Sequence, residues 1–213
     1  MYKLRLSGNG SNYRGIYMNK KIIIIEGYLA SGKSTFAKQL SQQMNVPYLI
    51  KDTFKIAMCE NITVTDRSER SRFSTVTFDA MMYVVERMFE TGYPIIIEGN
   101  FVPAGVKEVN EAGIIKHLID SYGYDSLTFK FKGNTQVLHK RFIEREETAE
   151  RGQVNKIGSE VSYSDFNKWC HNLDSFDVGG KVVEVDTSDF DLVGFNGYYE
   201  LAGKFMGDRC NES

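Results

Sequence analysis

Apolar runs alternate with segments of helical periodicity along most of the chain. Residues 20–27 include four consecutive isoleucines, a pattern typical of a strand buried on both faces of a parallel sheet. A helix is predicted at 32–44, because its apolar residues recur at the spacing of one helix face. Four more strands are predicted, at 47–51, 93–100, 127–131 and 181–186. Further helices are predicted at 78–89, 106–119, 135–147, 163–172 and 198–206.

This order of elements predicts the fold class. Strands that alternate with helices imply right-handed crossovers and a parallel sheet with helices on both faces. We therefore expect an α/β protein with a five-stranded parallel sheet in a three-layer α/β/α arrangement. Residues 1–19 are rich in glycine, serine and asparagine and are predicted to form a flexible extension, with the domain itself at 20–213.

Composition and charge narrow the classes of function. The formal net charge of −2 disfavours a protein that binds long nucleic acids through bulk positive charge. The three cysteines, Cys59, Cys170 and Cys210, are far apart in sequence, which predicts free thiols rather than a metal site. No apolar run is long enough to span a membrane, and the first residues lack the apolar core of a signal peptide. We therefore expect a cytoplasmic protein.

The strongest chemical signal is a phosphate-binding loop, GYLASGKST, between the first strand and the first helix. It fits the pattern G-x-x-x-x-G-K-[ST] in full. In this motif the backbone N–H groups hold phosphates, the lysine reaches the β and γ phosphates, and the serine hydroxyl binds Mg²⁺. The residues predicted to bind ATP here are Gly27, Ala30, Ser31, Gly32, Lys33, Ser34 and Thr35. The motif indicates a nucleoside triphosphate, which switches and motors also bind.

Other features favour a kinase over a switch or a motor. The base-reading pattern N-K-x-D of GTPases is absent from the sequence. Glu98 ends the strand predicted at 93–100, and the carboxyl ends of such strands face the ligand. Glu98 is predicted to bind magnesium through water or to hold a substrate hydroxyl. The alternative is a strand-end carboxylate with no special role.

Asp52 follows the second predicted strand, within LIKDTFK, at the same edge of the sheet. A carboxylate there can accept the proton of an acceptor hydroxyl as it attacks the γ-phosphate, so Asp52 is predicted to be the catalytic base. The alternative role is an N-cap for a helix that starts at Thr53, and the two roles are compatible.

A charged helix carries arginines on one face. Arg141 and Arg145 are four residues apart, and Arg151 follows beside a glycine. We predict a lid at about 141–160 whose arginines close over the phosphates and neutralise charge in the transition state. The alternative is a solvated helix held by pairs such as Glu147 with Arg151.

Four segments in this order, GYLASGKST, LIKDTFK, IIIEGNF and an R-x-x-x-R helix followed by VDTSDF, resemble the small P-loop kinases of the AAA-type "predicted kinase" group. That group is related to the polynucleotide kinase domain, chloramphenicol phosphotransferase and zeta toxin. The resemblance covers about residues 20–191. The sequence departs from many relatives at Glu98, where they often have aspartate, and after Arg151, where an R-H-x-x-H ending is missing.

The resemblance implies a helical lid and an ATP- and Mg²⁺-dependent kinase, with Lys33 and Ser34 at the nucleotide and the metal and Asp52 as the base. It implies the lid residues Arg141, Arg145 and Arg151. It also implies an adenine site at Asp186, Thr187 and Ser188.

Together these observations predict an ATP-dependent phosphotransferase whose partners are ATP and a small molecule with a hydroxyl acceptor. A nucleoside, nucleotide or polynucleotide 5′-hydroxyl kinase is one alternative, and an ATP-binding regulatory or toxin-like module is another. The arginines Arg67, Arg70 and Arg72 are candidates to hold an anionic acceptor, or else they are surface charges.

Overall fold

The computed structural model describes residues 19–62, 67–106, 108–146, 148 and 161–207. Its centre is a five-stranded sheet in the spatial order β2-β3-β1-β4-β5, in which all neighbouring strands are parallel. The strands are β1 (Lys21–Gly27), β2 (Tyr48–Ile50), β3 (Ile95–Glu98), β4 (Asp125–Lys132) and β5 (Lys181–Asp186). The helices are α1 (Lys33–Met44), α2 (Lys51–Cys59), α3 (Arg67–Glu90), α4 (Glu111–Tyr122), α5 (Thr135–Glu146), α6 (Tyr163–His171) and α7 (Phe195–Met206). A short 3₁₀ helix, Phe190–Leu192, lies between β5 and α7.

Helices cover both faces of the sheet, which confirms the predicted three-layer α/β/α fold. Ile22 and Ile24 of β1 are buried in one apolar layer together with side chains of α3 and α4. Ile23 and Ile25 are buried in the other layer, together with side chains of α1 and α7. Successive side chains of a strand point to opposite faces, so the four isoleucines of β1 supply both layers.

The chain after β2 differs from the prediction. β2 ends at Ile50, and Lys51 and Asp52 form the first turn of α2, which is absent from the predicted elements. The helix predicted at 78–89 begins earlier, at Arg67, and is 24 residues long. Residues 67–77 contain only two apolar residues, Phe73 and Val76, so the sequence offers no apolar stripe from which this first part of the helix could be predicted.

The helix predicted at 106–119 begins five residues later, at Glu111. Asn110 is its N-cap, because its side-chain oxygen accepts the N–H of Gly113 at 2.9 Å. The helix ends at Gly123, which has the left-handed conformation that commonly terminates helices (φ 66°). The apolar residues at 101–103 therefore belong to the loop after β3, where they are buried without being helical.

α5 and α6 pack against the phosphate-binding loop. Tyr28 of that loop shares a small apolar cluster with Leu138 and Phe142 of α5 and with Phe166 and Cys170 of α6. The arginine-bearing helix α5 is thereby fixed beside the loop.

The predicted lid and the predicted N-terminal extension lie mostly outside the described residues. Of the lid at 141–160, only residues 141–146 and 148 are described, and of the extension at 1–19, only Asn19. None of the described helices combines the length and apolarity needed to cross a membrane.

Candidate active site

The phosphate-binding loop connects β1 to α1 in a conformation that requires glycine. Gly27 and Gly32 have φ angles of 127° and 86°, which residues with a side chain rarely adopt. A Cβ atom at Gly27 would overlap the carbonyl group of Phe131 in β4. The hydroxyl of Ser31 donates to the carbonyl of Tyr28 at 2.6 Å and closes the loop. α1 has no side-chain cap, and its first turn therefore presents backbone N–H groups of the kind that bind phosphate.

Lys33 is buried beneath this loop. Its Nζ donates to the carbonyls of Gly27 at 3.0 Å and Tyr28 at 2.6 Å. Burial lowers the pKa of Lys33, whereas the negative charges of Glu98 and Glu26 act in the opposite direction. The ammonium group is thus held at the loop by two carbonyl oxygens, a position from which it can bind phosphate oxygens.

Ser34 and Glu98 form the candidate magnesium site. Ser34 Oγ donates to Oε2 of Glu98 at 2.9 Å, and the Glu98 side chain is buried at the end of β3. Burial raises the pKa of Glu98 to about 7; the positive charge of Lys33 lowers it, and the negative charge of Asp52 raises it.

These two oxygen ligands fit Mg²⁺, which binds few protein groups and completes its shell with waters and phosphates. Within the described ranges no group of three or more His, Cys, Asp or Glu side chains could hold a metal ion. A magnesium ion at Ser34 and Glu98 would therefore depend on the phosphates of a nucleotide.

Asp52 lies in the first turn of α2, where a negative charge interacts favourably with the helix dipole. Its alternative role as an N-cap is wrong, because Ile50 is the N-cap of α2. The charge of Asp52 is close enough to raise the pKa of Glu98 and the pKa of Lys33. Asp52 is also exposed, so a molecule in solution can approach its carboxylate.

The two described arginines of α5 serve different parts of the site. The positive charge of Arg145 lowers the pKa of both Lys33 and Glu98, which places it at the phosphate-binding loop. Arg141 instead donates to the carbonyls of Thr187 at 2.6 Å and Ser188 at 3.1 Å, in the segment after β5. Arg141 thus joins α5 to the segment after β5, and Arg145, one helical turn later, contributes positive charge near Lys33 and Glu98.

The segment after β5 forms a compact turn beside the loop. Phe190 stacks on the guanidinium of Arg141, with 4.0 Å between Cζ and the ring centroid, and a Cβ atom at Gly32 would lie 2.9 Å from the Phe190 ring. Asp186 accepts the N–H of Ser188 at 2.9 Å and the hydroxyl of the same residue at 2.7 Å. Thr187 is fully buried, with its hydroxyl and its N–H both donating to the carbonyl of Lys132, at 2.9 and 2.8 Å. Thr187 therefore shapes this turn and is not itself exposed to a nucleotide.

The remaining predicted residues lie partly outside this site. Ala30 is in the loop with a left-handed φ of 58°, and Thr35 is exposed on α1. Arg151 lies outside the described residues, as do the side chains of Arg67 and Arg70. The described arginine of that stretch, Arg72, is exposed on α3.

Sequence reasoning missed one buried acidic residue at this site. Glu26 is the residue of β1 before Gly27, its side chain is fully buried, and neither carboxylate oxygen has a hydrogen-bond partner among the described residues. Burial raises its pKa to about 8, whereas Lys33 and Lys130 lower it. The available signal was a charged residue at the end of a strand predicted to be buried on both faces.

Comparison with known proteins identifies the fold. No protein-family model matches the chain, and no curated protein sequence matches it. A provisionally assigned kinase from Chloroflexus aurantiacus has a similar structure, with a TM-score of 0.77, 19% identity, and coverage of 88% of this chain and 98% of that one. Shikimate kinase from Bacteroides thetaiotaomicron matches with a TM-score of 0.53 and 13% identity over 87% of this chain and 97% of that one. A gluconokinase from Sinorhizobium meliloti matches with a TM-score of 0.51 and 16% identity over 89% of this chain and 92% of that one.

The fold of this chain is therefore that of the P-loop kinases, which confirms the predicted fold class and agrees with the resemblance seen in the sequence. The shikimate kinase and the gluconokinase are named for different substrates, and a fold shared at such low identity does not carry a substrate with it.

Proposed function

We propose that the protein is a kinase that transfers the γ-phosphate of Mg-ATP to a hydroxyl group of a small molecule. The observation that carries this proposal is the convergence of Lys33, Glu98 and Asp52 at one edge of the sheet. Ser34, next to Lys33, donates to Glu98 at 2.9 Å, and Ile50, two residues before Asp52, pairs in register with Glu98. A loop, a metal-binding carboxylate and a separate exposed carboxylate are the parts that phosphate transfer to an alcohol requires.

In this mechanism Lys33 exchanges the carbonyls of the loop for phosphate oxygens and stabilises the negative charge of the transferred group. Mg²⁺, held by Ser34 and Glu98, would supply further positive charge at the phosphates. Arg145 adds a third positive charge from α5, since its effect on the pKa of Lys33 and Glu98 indicates that it lies close to both.

Asp52 is assigned the role of general base. As the acceptor oxygen forms its bond to the γ-phosphorus, the proton of the acceptor hydroxyl moves to the Asp52 carboxylate. The bond between the γ-phosphorus and the oxygen that bridges to the β-phosphate breaks, and ADP leaves with that oxygen. The exposure of Asp52 supports this role, because the acceptor must enter from solvent.

The nucleotide base is assigned to the side of the site formed by the segment after β5, near Asp186 and Thr187. Arg141 and Phe190 are stacked there, and both present flat surfaces on which a purine could lie.

The two described cysteines, Cys59 and Cys170, are free and buried, which supports a reducing, cytoplasmic location.

The test is incubation of the purified protein with Mg-ATP and a metabolite extract, followed by mass spectrometry of the products. We expect a new phosphoester with the wild type and about 100-fold less of it with Asp52→Asn, because loss of a general base slows transfer without abolishing it. The variant Asp79→Asn, which changes an exposed aspartate of α3 in the same way, is expected to behave as the wild type. A new phosphoester formed equally by Asp52→Asn would contradict the assigned base, and ADP without any phosphoester would indicate an ATP-binding regulatory module instead.

A further inference from the structure

A buried ion pair lies next to the proposed base and is not part of the phosphate-binding loop. The ammonium group of Lys51 contacts both carboxylate oxygens of Glu111, at 2.5 and 2.6 Å. The side chains of the two residues are 11% and 7% exposed. The ammonium group also lies 5.3 Å from the ring centroid of Phe78 and 5.8 Å from that of Phe101.

This pair joins three segments that surround the proposed acceptor side of the site. Lys51 is the first residue of α2 and directly precedes Asp52, and Glu111 is the first residue of α4. Glu111 Oε2 also accepts the N–H of Val102 at 2.9 Å, in the loop that follows Glu98. Asp52 is therefore adjacent in sequence to Lys51 of the ion pair. Glu98 is four residues before Val102, whose N–H is bound by Glu111 of the same pair.

The packing around Lys51 leaves little room for another arrangement. A Cβ atom at Gly99, the residue after Glu98, would lie 3.0 Å from Cβ of Lys51. The start of α2 is thus in close contact with the chain that leaves β3. A small rotation of α2 would move Asp52 relative to Glu98 and would also break the two short contacts between Lys51 and Glu111.

Stability alone is a weak explanation for such a pair. Two charges removed from water lose much of their hydration energy, and apolar replacements of buried ion pairs often fold as well as the original. Bidentate contacts, however, are directional and fix the relative position of the groups that carry them. Catalysis by a general base depends on such fixed positions, because small displacements of the base reduce the rate strongly.

We propose that the ion pair between Lys51 and Glu111 is a positioning device that holds the Asp52 carboxylate at the acceptor side of the phosphate-binding loop. Lys51 and Glu111 act through Asp52 and are positioning residues rather than catalytic residues. This inference rests on the function proposed above, in which Asp52 is the base.

The experiment is a double-mutant cycle between Lys51→Met and Asp52→Asn. Transfer of ³²P from the γ-position of labelled ATP into the metabolite extract is measured for the wild type, both single variants and the double variant. Rates are divided by the folded fraction from thermal melting, and ADP affinity is measured in parallel by titration. We expect Lys51→Met to lower the rate by about 10-fold or more in the wild type, but by less than about 2-fold in Asp52→Asn, with ADP affinity changed by less than about 2-fold.

An equal loss in both backgrounds would overturn the inference, because a merely structural role would act independently of Asp52. An unchanged rate in Lys51→Met would overturn it too. If Lys51→Met fails to fold, the double replacement Lys51→Met/Glu111→Leu is used in its place, since it leaves no unpaired charge, and the same outcomes apply. The two proposals remain distinguishable. A wild-type rate in Asp52→Asn contradicts the role of Asp52 as the base. If Asp52→Asn loses activity as expected, but Lys51→Met has an unchanged rate or causes an equal loss in both backgrounds, only the positioning role is contradicted.

Discussion

Glu26 and Glu98 are acidic residues at the carboxyl ends of neighbouring strands, and both are buried, yet their surroundings differ. Glu98 pairs in register with Ile25, and its carboxylate accepts the hydroxyl of Ser34 in α1. Glu26 pairs in register with Lys130 of β4, and among the described residues its carboxylate oxygens have no hydrogen-bond partner. Each carboxylate interacts with the positive charge of Lys33.

This difference suggests different effects: Glu98 is placed for a functional role, whereas the buried Glu26 lowers stability. In the function proposed above, Glu98 and Ser34 together hold a metal ion at the phosphates. Glu26 is enclosed, and the positive charges of Lys33 and Lys130 compensate its burial in part. We therefore expect substitutions at Glu98 to affect activity, and substitutions at Glu26 to affect stability.

The largest effect is expected from Lys33→Met, which removes the positive charge that both carboxylates share. Phosphate transfer should fall by about 10²–10³-fold, because the transferred group loses a preorganised positive charge. The measurement is the initial rate of phosphoester formation at saturating ATP. A rate within a few-fold of the wild type would show that Lys33 does not act on the phosphates.

A matched pair of substitutions tests the difference between Glu98 and Glu26 directly. Glu98→Gln should lower transfer by about 10–100-fold, because a neutral amide is a poor magnesium ligand. Glu26→Gln changes the same chemical group on the adjacent strand and should leave the rate within about 3-fold, since no step is assigned to it. Equal losses in the two variants would contradict the separate roles.

Magnesium dependence should vary with pH because the pKa of Glu98 is raised to about 7. Only the carboxylate form binds the metal, so the apparent affinity for Mg²⁺ should increase by up to about 10-fold from pH 6 to pH 8 and level off above that. The check is a magnesium titration of the transfer rate at fixed ATP. The increase should be absent in Glu98→Gln and present in Glu26→Gln.

Stability should fall as pH rises, and Glu26 should cause part of that fall. In the folded state its pKa is raised to about 8, whereas in the unfolded chain it loses its proton near its ordinary pKa of 4.5. Between these values the folded state binds more protons, so the free energy of unfolding decreases with increasing pH. From pH 7 to pH 8 we expect a decrease of up to about 1 kcal/mol, measured by urea unfolding, and a smaller decrease in Glu26→Gln. An identical slope in the variant would contradict the assignment.

The sequence predicted the sheet and the loop well because their signals are local. Four isoleucines and a complete phosphate-binding motif specify β1, the turn and the start of α1 within fourteen residues, 22–35. The proposed acceptor side is different, since the contacts that we propose to position Asp52 come from residues far apart in the chain. Lys51 and Glu111 are 60 residues apart, and no local pattern links them.

Arg141 illustrates the same limit. Its position on one helix face with Arg145 was evident from the sequence, but the sequence did not reveal that Arg141 binds the carbonyls of Thr187 and Ser188. The start of α3 was missed for another physical reason: residues 67–77 carry only two apolar residues and so show no apolar periodicity.

The central claim, that the protein transfers phosphate to an alcohol, is tested most directly by the ratio of phosphoester formed to ADP formed. The measurement uses purified wild-type protein, Mg-ATP and the acceptor identified in the metabolite extract, with both products quantified in the same sample. A kinase gives a ratio of about one, because each γ-phosphate leaves ATP only for the acceptor hydroxyl. A ratio near zero, with inorganic phosphate in place of the phosphoester, would contradict the account and indicate hydrolysis.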